Sequence, residues 1–223
     1  MHCRPRHCQS FFPEDKRDNL PKVPACTECN NAKSTLEHAL TAIMPFGARH
    51  GDAGQALAMT EARLAKNRKL HANLSAGVAY SIRSINGGPW HFEMTVSTDL
   101  GGIERLCEYI VKGLAHHHWG LALGNEHFVR ASYLDEAGRH GFDSLFEKNV
   151  RARVQMDHGD GVFAYEGVQS ENDPELTMWK MSFYGAQVSG VKRRPGDRNS
   201  MVYGISAPRK WPATAMLMEM LGQ

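Results

Sequence analysis

The feature that most constrains the fold is a pair of cysteines three positions apart, Cys26 and Cys29, which runs directly into an amphipathic segment. Two thiolates at this spacing on a tight turn can bind the same tetrahedral zinc ion. The apolar residues that follow recur at helical spacing, at Leu36, Leu40, Ile43 and Met44. The sequence therefore predicts a helix that begins just after the pair and ends before Pro45.

The distribution of cysteines favours a metal site. Of the five cysteines, four lie within the first 29 residues and Cys107 stands alone. A clustered and odd-numbered set fits a metal better than the disulfide framework of a secreted protein. A tetrahedral site needs a second pair of ligands, so we expect a structural Zn²⁺ held by Cys3, Cys8, Cys26 and Cys29. Cys107 lies among apolar residues of another predicted helix, where we expect a small buried hydrophobe.

The residues around the cysteine pair reduce the number of site types that it can indicate. Asn19 and Leu20 precede it, and Asn30 follows it directly. Lys33 and Ser34 then open the predicted helix. A lone Cys-x-x-Cys also fits a redox pair or chance, whereas this combination is more specific. The segment resembles the HNH endonuclease family, in the variants that carry a Cys-x-x-Cys-Asn-x-x-Lys run, and the resemblance covers residues 2–45.

The resemblance implies a ββα-metal fold and metal-dependent hydrolysis of phosphodiester bonds in DNA. In the family, a histidine on the first strand acts as general base on water, and a divalent cation stabilises the charge that develops. His2 fits a His-x-x-Pro-Arg strand by spacing, and His7 is the alternative base. Asn19 would orient the hairpin and its histidine. Asn30 would help to hold a catalytic Mg²⁺ or another divalent cation.

The first strand departs from the family pattern. Met1 stands where the family has an acidic metal ligand, and Arg6 occupies that position if His7 is the base. In place of the upstream cysteine pair of the family, either Cys3 and Cys8 complete the zinc site or the site is only half formed. We therefore expect either a late start within the module or a degenerate copy. The functions that follow are a metal-dependent endonuclease and, as the alternative, a catalytically inactive zinc knuckle that binds nucleic acid or a protein partner.

Composition sets the remaining limits. Hydrophobic residues make up 42% of the 223 residues, which is enough to bury a core. The net charge of +2 is too small to indicate nucleic acid by bulk electrostatics, so DNA as a partner follows from the resemblance alone. The apolar stretches are too short to span a bilayer, and the start lacks a signal-peptide pattern. We expect a cytoplasmic protein without a membrane contact; the oligomeric state is not indicated.

The rest of the chain predicts an α+β fold. Val, Phe, Tyr and Trp alternate with Gly and Asp turns in four segments, which favours antiparallel strands over residues 127–134, 153–168, 177–188 and 201–206. The break at Pro45-Phe46-Gly47 and the following Gly51 place a domain boundary near residue 50. The prediction is a small ββα-metal zinc module over residues 1–50, followed by a mixed helix and antiparallel-sheet domain of unknown function over residues 51–223.

Two further helices are expected. One spans residues 52–74 and carries basic residues that are either a solvated face or a phosphate contact, namely Arg63, Lys66, Arg68 and Lys69. The other begins at a capping Asp99 and ends before Gly120. Its apolar residues recur every three or four positions, at Ile103, Leu106, Ile110 and Leu114. We expect it to be a core helix.

Three other features have structural explanations. The run His116-His117-His118 lies on a helix, where consecutive side chains point about 100° apart and cannot all bind one ion. We expect His117 in the core and its neighbours in solvent. The segment from Asp157 to Gly161 reads as a hairpin turn. The scattered aromatic residues favour a core over a base-stacking platform, and they are Trp90, Trp119, Trp179, Trp211, Phe183 and Tyr184.

Overall fold

The computed structural model describes most of the chain between residues 20 and 211. The described residues are 20, 21, 23, 26–43, 58, 60, 61, 64, 65, 68–76, 78–84, 90–96, 100–148, 150–159, 162–183 and 201–211. The helices are α1 (Thr27–Ile43), α2 (Arg68–Ala76), α3 (Leu100–Trp119) and α4 (Glu136–Phe146). The strands are β1 (Val78–Ser84), β2 (Trp90–Val96), β3 (His127–Ser132), β4 (Val150–His158), β5 (Phe163–Ser170), β6 (Thr177–Phe183) and β7 (Val202–Pro208).

A five-stranded antiparallel sheet forms the centre of the fold, in the order β3-β7-β6-β5-β4. The last strand, β7, is inserted between β3 and β6, while β4, β5 and β6 follow one another along the chain. β1 and β2 pair with each other as a separate antiparallel hairpin. The predicted α+β class is confirmed, as are the strands of the second half where they are described; residues 184–188 of the strand predicted from Thr177 lie outside the described residues. The β1–β2 hairpin was not predicted.

Helices pack on both faces of the sheet because its strands are apolar on alternating sides. In β6, Trp179 lies in the core cluster of α3, while Met178 lies in that of α4. The α3 cluster contains Ile103, Leu106, Cys107, Val111, Leu114, Ala115, Val129, Ala131, Val162, Phe163, Tyr165, Trp179, Met181, Phe183, Val202 and Leu20. The α4 cluster contains Phe128, Leu134, Phe142, Phe146, Val168, Met178, Tyr203, Ile205 and Ala207. Cys107 is buried in the first cluster, as predicted.

Two glycines allow close packing on the α3 face of the sheet. A Cβ at Gly204 would lie 2.5 Å from Val111 Cγ2, so α3 approaches the backbone of β7 directly. A Cβ at Gly167 of β5 would lie 2.3 Å from the ring of Trp179. Both contacts are shorter than real side chains allow. Any larger residue at either position would force the helix or the indole ring to move.

The ends of α3 agree with the sequence where they are described. Gly120 adopts φ +66°, the left-handed conformation that glycine tolerates, and its N–H donates to His116 O at 2.9 Å. The predicted cap, Asp99, lies outside the described residues. No helix among the described residues is both long and apolar enough to cross a bilayer.

The helix α4 was not predicted, although its start is well defined. Asp135 caps it, since its Oδ1 accepts the Gly138 N–H at 2.7 Å. Phe142 and Phe146 are its two fully buried residues, and they lie four positions apart on the face that covers the sheet. Lys180 Nζ on the sheet lies 2.7 Å from Asp143 Oδ1. An apolar contact and an ion pair therefore hold α4 in place.

Candidate functional site

The two cysteines lie at the N-terminus of α1, which begins at Thr27, between them, and not just after the pair as predicted. Cys26 precedes the first helical residue, and its Sγ accepts a hydrogen bond from the Cys29 backbone N–H at 3.2 Å. Its carbonyl accepts the Asn30 N–H at 2.9 Å. Cys26 is therefore the N-cap of α1, with sulfur in the role that an oxygen of Ser or Asp usually has. Both thiols are free and exposed.

The two thiols differ in their readiness to ionise. A hydrogen bond from the Cys29 side chain, reinforced by the Cys29 backbone N–H, lowers the pKa of Cys26. The same side-chain hydrogen bond raises the pKa of Cys29, and Lys112 of α3 acts against that increase. Cys26 is thus the thiol that becomes a thiolate first, and Cys29 is its proton-bearing neighbour. The helix N-terminus also favours a negative charge at this position.

The pair fits half of a tetrahedral zinc site. Sulfur is a preferred zinc ligand, and two exposed thiols at one turn provide two of four ligands. The other predicted zinc ligands, Cys3 and Cys8, and the predicted catalytic residues His2, His7 and Asn19 lie outside the described residues. Within the part of the chain that the structure describes, no group of three or more His, Cys, Asp or Glu side chains is arranged to hold a metal ion.

The remaining residues of the motif have separate positions. Asn30, predicted to hold the catalytic cation, lies in the first turn of α1 and is half-buried. Lys33 donates to Glu37 Oε1 at 3.0 Å, one helical turn further on. The Glu37 side chain is buried, so this ion pair is largely shielded from water. Lys33 therefore stabilises α1 itself.

The Cys pair is attached to the sheet domain through α3. Leu20 is 7% exposed and belongs to the same core cluster as α3 and the sheet. Leu36 of α1 packs against that cluster. A Cβ at Gly113 of α3 would lie 3.3 Å from Val23 Cγ2, so the segment before the cysteines approaches the α3 backbone closely. These contacts fix the position of the Cys pair relative to α3.

The predicted basic helix is partly described. Every described residue from 58 to 76 is helical and α2 begins at Arg68, so helical structure is confirmed at the described positions, while one continuous helix over residues 52–74 stays a prediction. Arg68 begins α2 and is exposed. The side chains of Arg63, Lys66 and Lys69 lie outside what is described, so the choice between a solvated face and a phosphate contact stays a prediction.

A polar cluster that the sequence analysis missed lies at the C-terminal end of α3. His118 Nε2 is 2.9 Å from Tyr165 OH, and the Tyr165 ring lies 5.7 Å from the His158 ring between centroids. Burial raises the pKa of Tyr165 to about 12, so the phenol stays protonated, and the tautomer of His118 decides which of the two groups donates. Burial is also the main reason that the pKa values of His118 and His158 are lowered. The cluster is a set of neutral groups at the edge of the core.

This cluster corrects one expectation. His117, predicted in the core, is exposed, and His118 is the histidine that turns inward. The physical reason is the partner, because only His118 meets Tyr165 OH. Of the predicted turn from Asp157 to Gly161, Gly159 lies between β4 and β5 and adopts φ +70°, whereas Asp157 and His158 belong to β4, and Asp160 and Gly161 lie outside the described residues. The alternation of β4 would have indicated that His158 shares the α3 face with Val154.

The aromatic residues follow the core prediction where their side chains are described. Trp179 and Phe183 are buried in the α3 cluster. Trp119 and Trp211 are half-buried and pack against the α3 and α4 clusters respectively. The side chains of Trp90 and Tyr184 lie outside the described residues.

Comparison of this chain with protein-family models, with curated proteins and with solved structures found no match.

Proposed function

We propose that the chain is a metal-dependent endonuclease of the HNH type that hydrolyses phosphodiester bonds in DNA. The observation that supports this most is the start of α1, where the Cys26 sulfur caps the helix and accepts the Cys29 N–H at 3.2 Å. Backbone donors of this kind stabilise a thiolate and fix its direction, as the outer contacts of a zinc ligand do. Cys26 and Cys29, with Cys3 and Cys8, would hold a structural Zn²⁺ that stabilises the module.

The proposed reaction assigns a separate task to each remaining residue of the motif. His2 or His7 takes a proton from the attacking water, whose oxygen bonds to phosphorus while the bond to the leaving oxygen breaks. Asn19 orients that histidine, and Asn30 helps to hold the second cation. A divalent cation such as Mg²⁺ supplies positive charge for the transition state and the leaving oxygen. The attachment through Leu20 and Leu36 keeps α1 at a constant position on α3.

The setting proposed for this activity is the cytoplasm, with DNA as the partner. Thiols stay reduced there, which a site made of free cysteines requires. The net charge of +2 means that phosphate contacts would come from local groups of Lys and Arg.

The first test is the zinc content of the purified full chain. We expect about one equivalent of zinc in the wild type by elemental analysis, and its loss in Cys26→Ser, because two of the four ligands lie on this turn. The matched control is Cys107→Ala, which removes a thiol buried in the core cluster of α3 and should retain the metal. Absence of zinc from the wild type would overturn the proposal.

The second test is nicking of a supercoiled plasmid with Mg²⁺ or Mn²⁺. We expect nicking by the wild type and a loss of about 100-fold or more in Asn30→Ala, since a positioned cation contributes several kcal/mol to the barrier. Single His2→Ala and His7→Ala variants identify the base. Zinc and DNA retained without cleavage would replace the nuclease by the non-catalytic zinc module, and equal nicking by Asn30→Ala would remove that residue from the site.

A further inference from the structure

Of the two strands at the ends of the five-stranded sheet, β4 has the more exposed side chains. It is nine residues long and lies at one end of the five-stranded sheet, paired with β5. Within the described part of the chain, no strand pairs with its other edge. The backbone N–H and C=O groups along such an edge can accept another strand. The edge is therefore a surface on which the sheet can be extended.

The regular part of β4 is centred on Gln155. A bulge between Val150 and Ala152 disturbs the start of the strand, and from Ala152 to His158 every residue has a partner on β5. A bulge of this kind limits pairing at one end of an edge strand. A partner strand would thus meet an even edge only over the stretch from Ala152 to His158.

The two faces of this stretch have different chemistry. Ala152, Val154 and Met156 lie on the α3 face, where Val154 packs against the core. Met156 is 43% exposed, and no other large hydrophobic residue in the described part of the chain is classed as exposed. The opposite face carries Arg153, then Gln155, and then Asp157. An apolar row thus lies on one face, and a basic, a neutral and an acidic residue follow one another on the other.

We propose that β4 pairs antiparallel with β4 of a second copy of the chain, about an axis at Gln155, so that two five-stranded sheets join into one. Residues at equal distances on either side of Gln155 then face each other. Val154 meets Met156 of the second copy on the apolar face. Arg153 meets Asp157 of the second copy on the polar face. Each of these contacts occurs twice because the axis is two-fold.

Charge selects this arrangement over a parallel one. Opposite charges that face each other across strands stabilise a sheet, and like charges destabilise it. A parallel pairing in register would place Arg153 opposite Arg153. The Arg153 guanidinium is already held in position by Glu147 and Glu166, each at 2.6 Å.

The contact is small, so the dimer should dissociate on dilution. A seam one strand wide falls below the roughly 1,200 to 2,000 Å² that stable interfaces bury. We expect the mass of the full chain to rise from 24.9 kDa toward twice that value between about 1 and about 100 µM protein in sedimentation or light scattering. A chain that remains a monomer across this range would overturn the proposal.

Variants locate the interface. Asp157→Lys places like charges opposite each other, and Met156→Lys places a charge in the apolar row; both should be monomers with an unchanged far-UV circular dichroism spectrum. Glu61→Lys makes the same kind of charge reversal at an exposed position on a helix and should still dimerise. A dimer that persists in Asp157→Lys and Met156→Lys would lie on a different surface, and the proposal would be wrong.

A cross-link tests the register without relying on either charged variant. In the proposed pairing, the two copies of residue 155 face each other at about 4.5 to 5.5 Å between Cα atoms, within reach of a disulfide. Gln155→Cys oxidised with diamide should give a covalent dimer on a non-reducing gel. Arg151→Cys, whose copies lie about 26 Å apart across the seam, should give only the background of the wild-type cysteines. Equal cross-linking in the two variants would contradict the register.

Discussion

The start of α1 and the central sheet are built in opposite ways. At α1, hydrogen bonds between residues no more than four positions apart fix the geometry of the two cysteines, and both thiols remain exposed. In the sheet, β7 pairs with β3, from which it is separated by most of the domain, and all but one of its residues are buried. The local site needs little packing to acquire its geometry. The sheet acquires its geometry only through packing.

Because of this difference, the candidate site and the main source of stability lie in different regions of the molecule. A thiol pair that caps a helix keeps its shape as long as that turn is helical, so it can remain open to a metal or a substrate. The sheet excludes water from two core clusters, and that burial accounts for most of the stability of a domain. α3 belongs to both regions, because it covers the sheet and also receives Leu20 and Leu36. Variants in the two regions should therefore have effects of different size and kind.

The largest effect is expected at Trp179, in the middle of the sheet. Its side chain is fully buried, and its Nε1 donates to Thr177 Oγ1 at 2.8 Å. Trp179→Ala should lower the free energy of unfolding by about 3 to 5 kcal/mol, since the cavity lies beneath α3 and faces Gly167. Urea titration followed by far-UV circular dichroism measures this loss.

Trp179→Phe is the matched control, because it retains an aromatic ring in the core while it removes the hydrogen bond and part of the indole volume. It should lose less stability than Trp179→Ala. A loss below about 1 kcal/mol for the alanine variant would mean that packing in the sheet does not dominate the stability. The proposed difference between the sheet and the start of α1 would then be wrong.

The next largest effect is expected at Leu20, where the two regions join. Leu20 is 7% exposed against the α3 cluster, so Leu20→Ala should lower the free energy of unfolding by about 2 kcal/mol, at the lower end for a buried leucine. We also expect faster proteolysis around α1. Limited proteolysis, with the fragments identified by mass spectrometry, locates the loosened segment.

Leu20→Met keeps the volume and should lose under about 1.5 kcal/mol. If α1 acquires its geometry locally, the zinc content of Leu20→Ala should equal that of the wild type. Loss of zinc in Leu20→Ala would show instead that the site depends on its attachment to α3, and the two regions would no longer be separable.

The same difference explains what could be predicted from the sequence. The start of α1 follows from the cysteine pair and the apolar spacing beside it, and the end of α3 follows from Gly120, because both are local signals. The strands of the second half follow from their alternation. The helix α4 was missed because only Phe142 and Phe146 are fully buried on it, which is too few for a clear period. The β1–β2 hairpin was also missed.

The candidate site shows the same limit. A helix start beside Cys26, Cys29 and Asn30 was predicted from spacing along the chain, although the helix begins at Thr27, three residues before the predicted start at Asn30. The inward rotation of His118 was not, because it depends on Tyr165, which is 47 residues away. The four apolar positions that predicted this helix, from Ile103 to Leu114, centre nearer to His117, whereas the buried Cys107, Val111 and Ala115 shift the buried face toward His118. Such a choice is decided by a contact between distant segments.

The smallest effect is expected from this histidine cluster, through pH. His118 and His158 have lowered pKa values in the folded chain, mainly because of burial and also because of charge repulsion among His117, His118 and His158. Asp157 acts against this at His158. The unfolded chain therefore binds more protons than the folded chain below the ordinary histidine value of 6.5. Their contribution to stability is complete above that value and is lost as the pH falls through it toward the lowered pKa values.

Replacing His118 tests this contribution directly. Protonation of His118 places a positive charge at a half-buried position beside Tyr165 OH, where burial disfavours it. His118→Gln retains an acceptor without titrating, and we expect a flatter dependence of the urea midpoint on pH between 5 and 7 than in the wild type. His140→Gln, at an exposed position on α4, should leave that dependence unchanged. Equal slopes in wild type and His118→Gln would mean that the cluster does not sense pH, and that acid sensitivity comes from elsewhere in the chain.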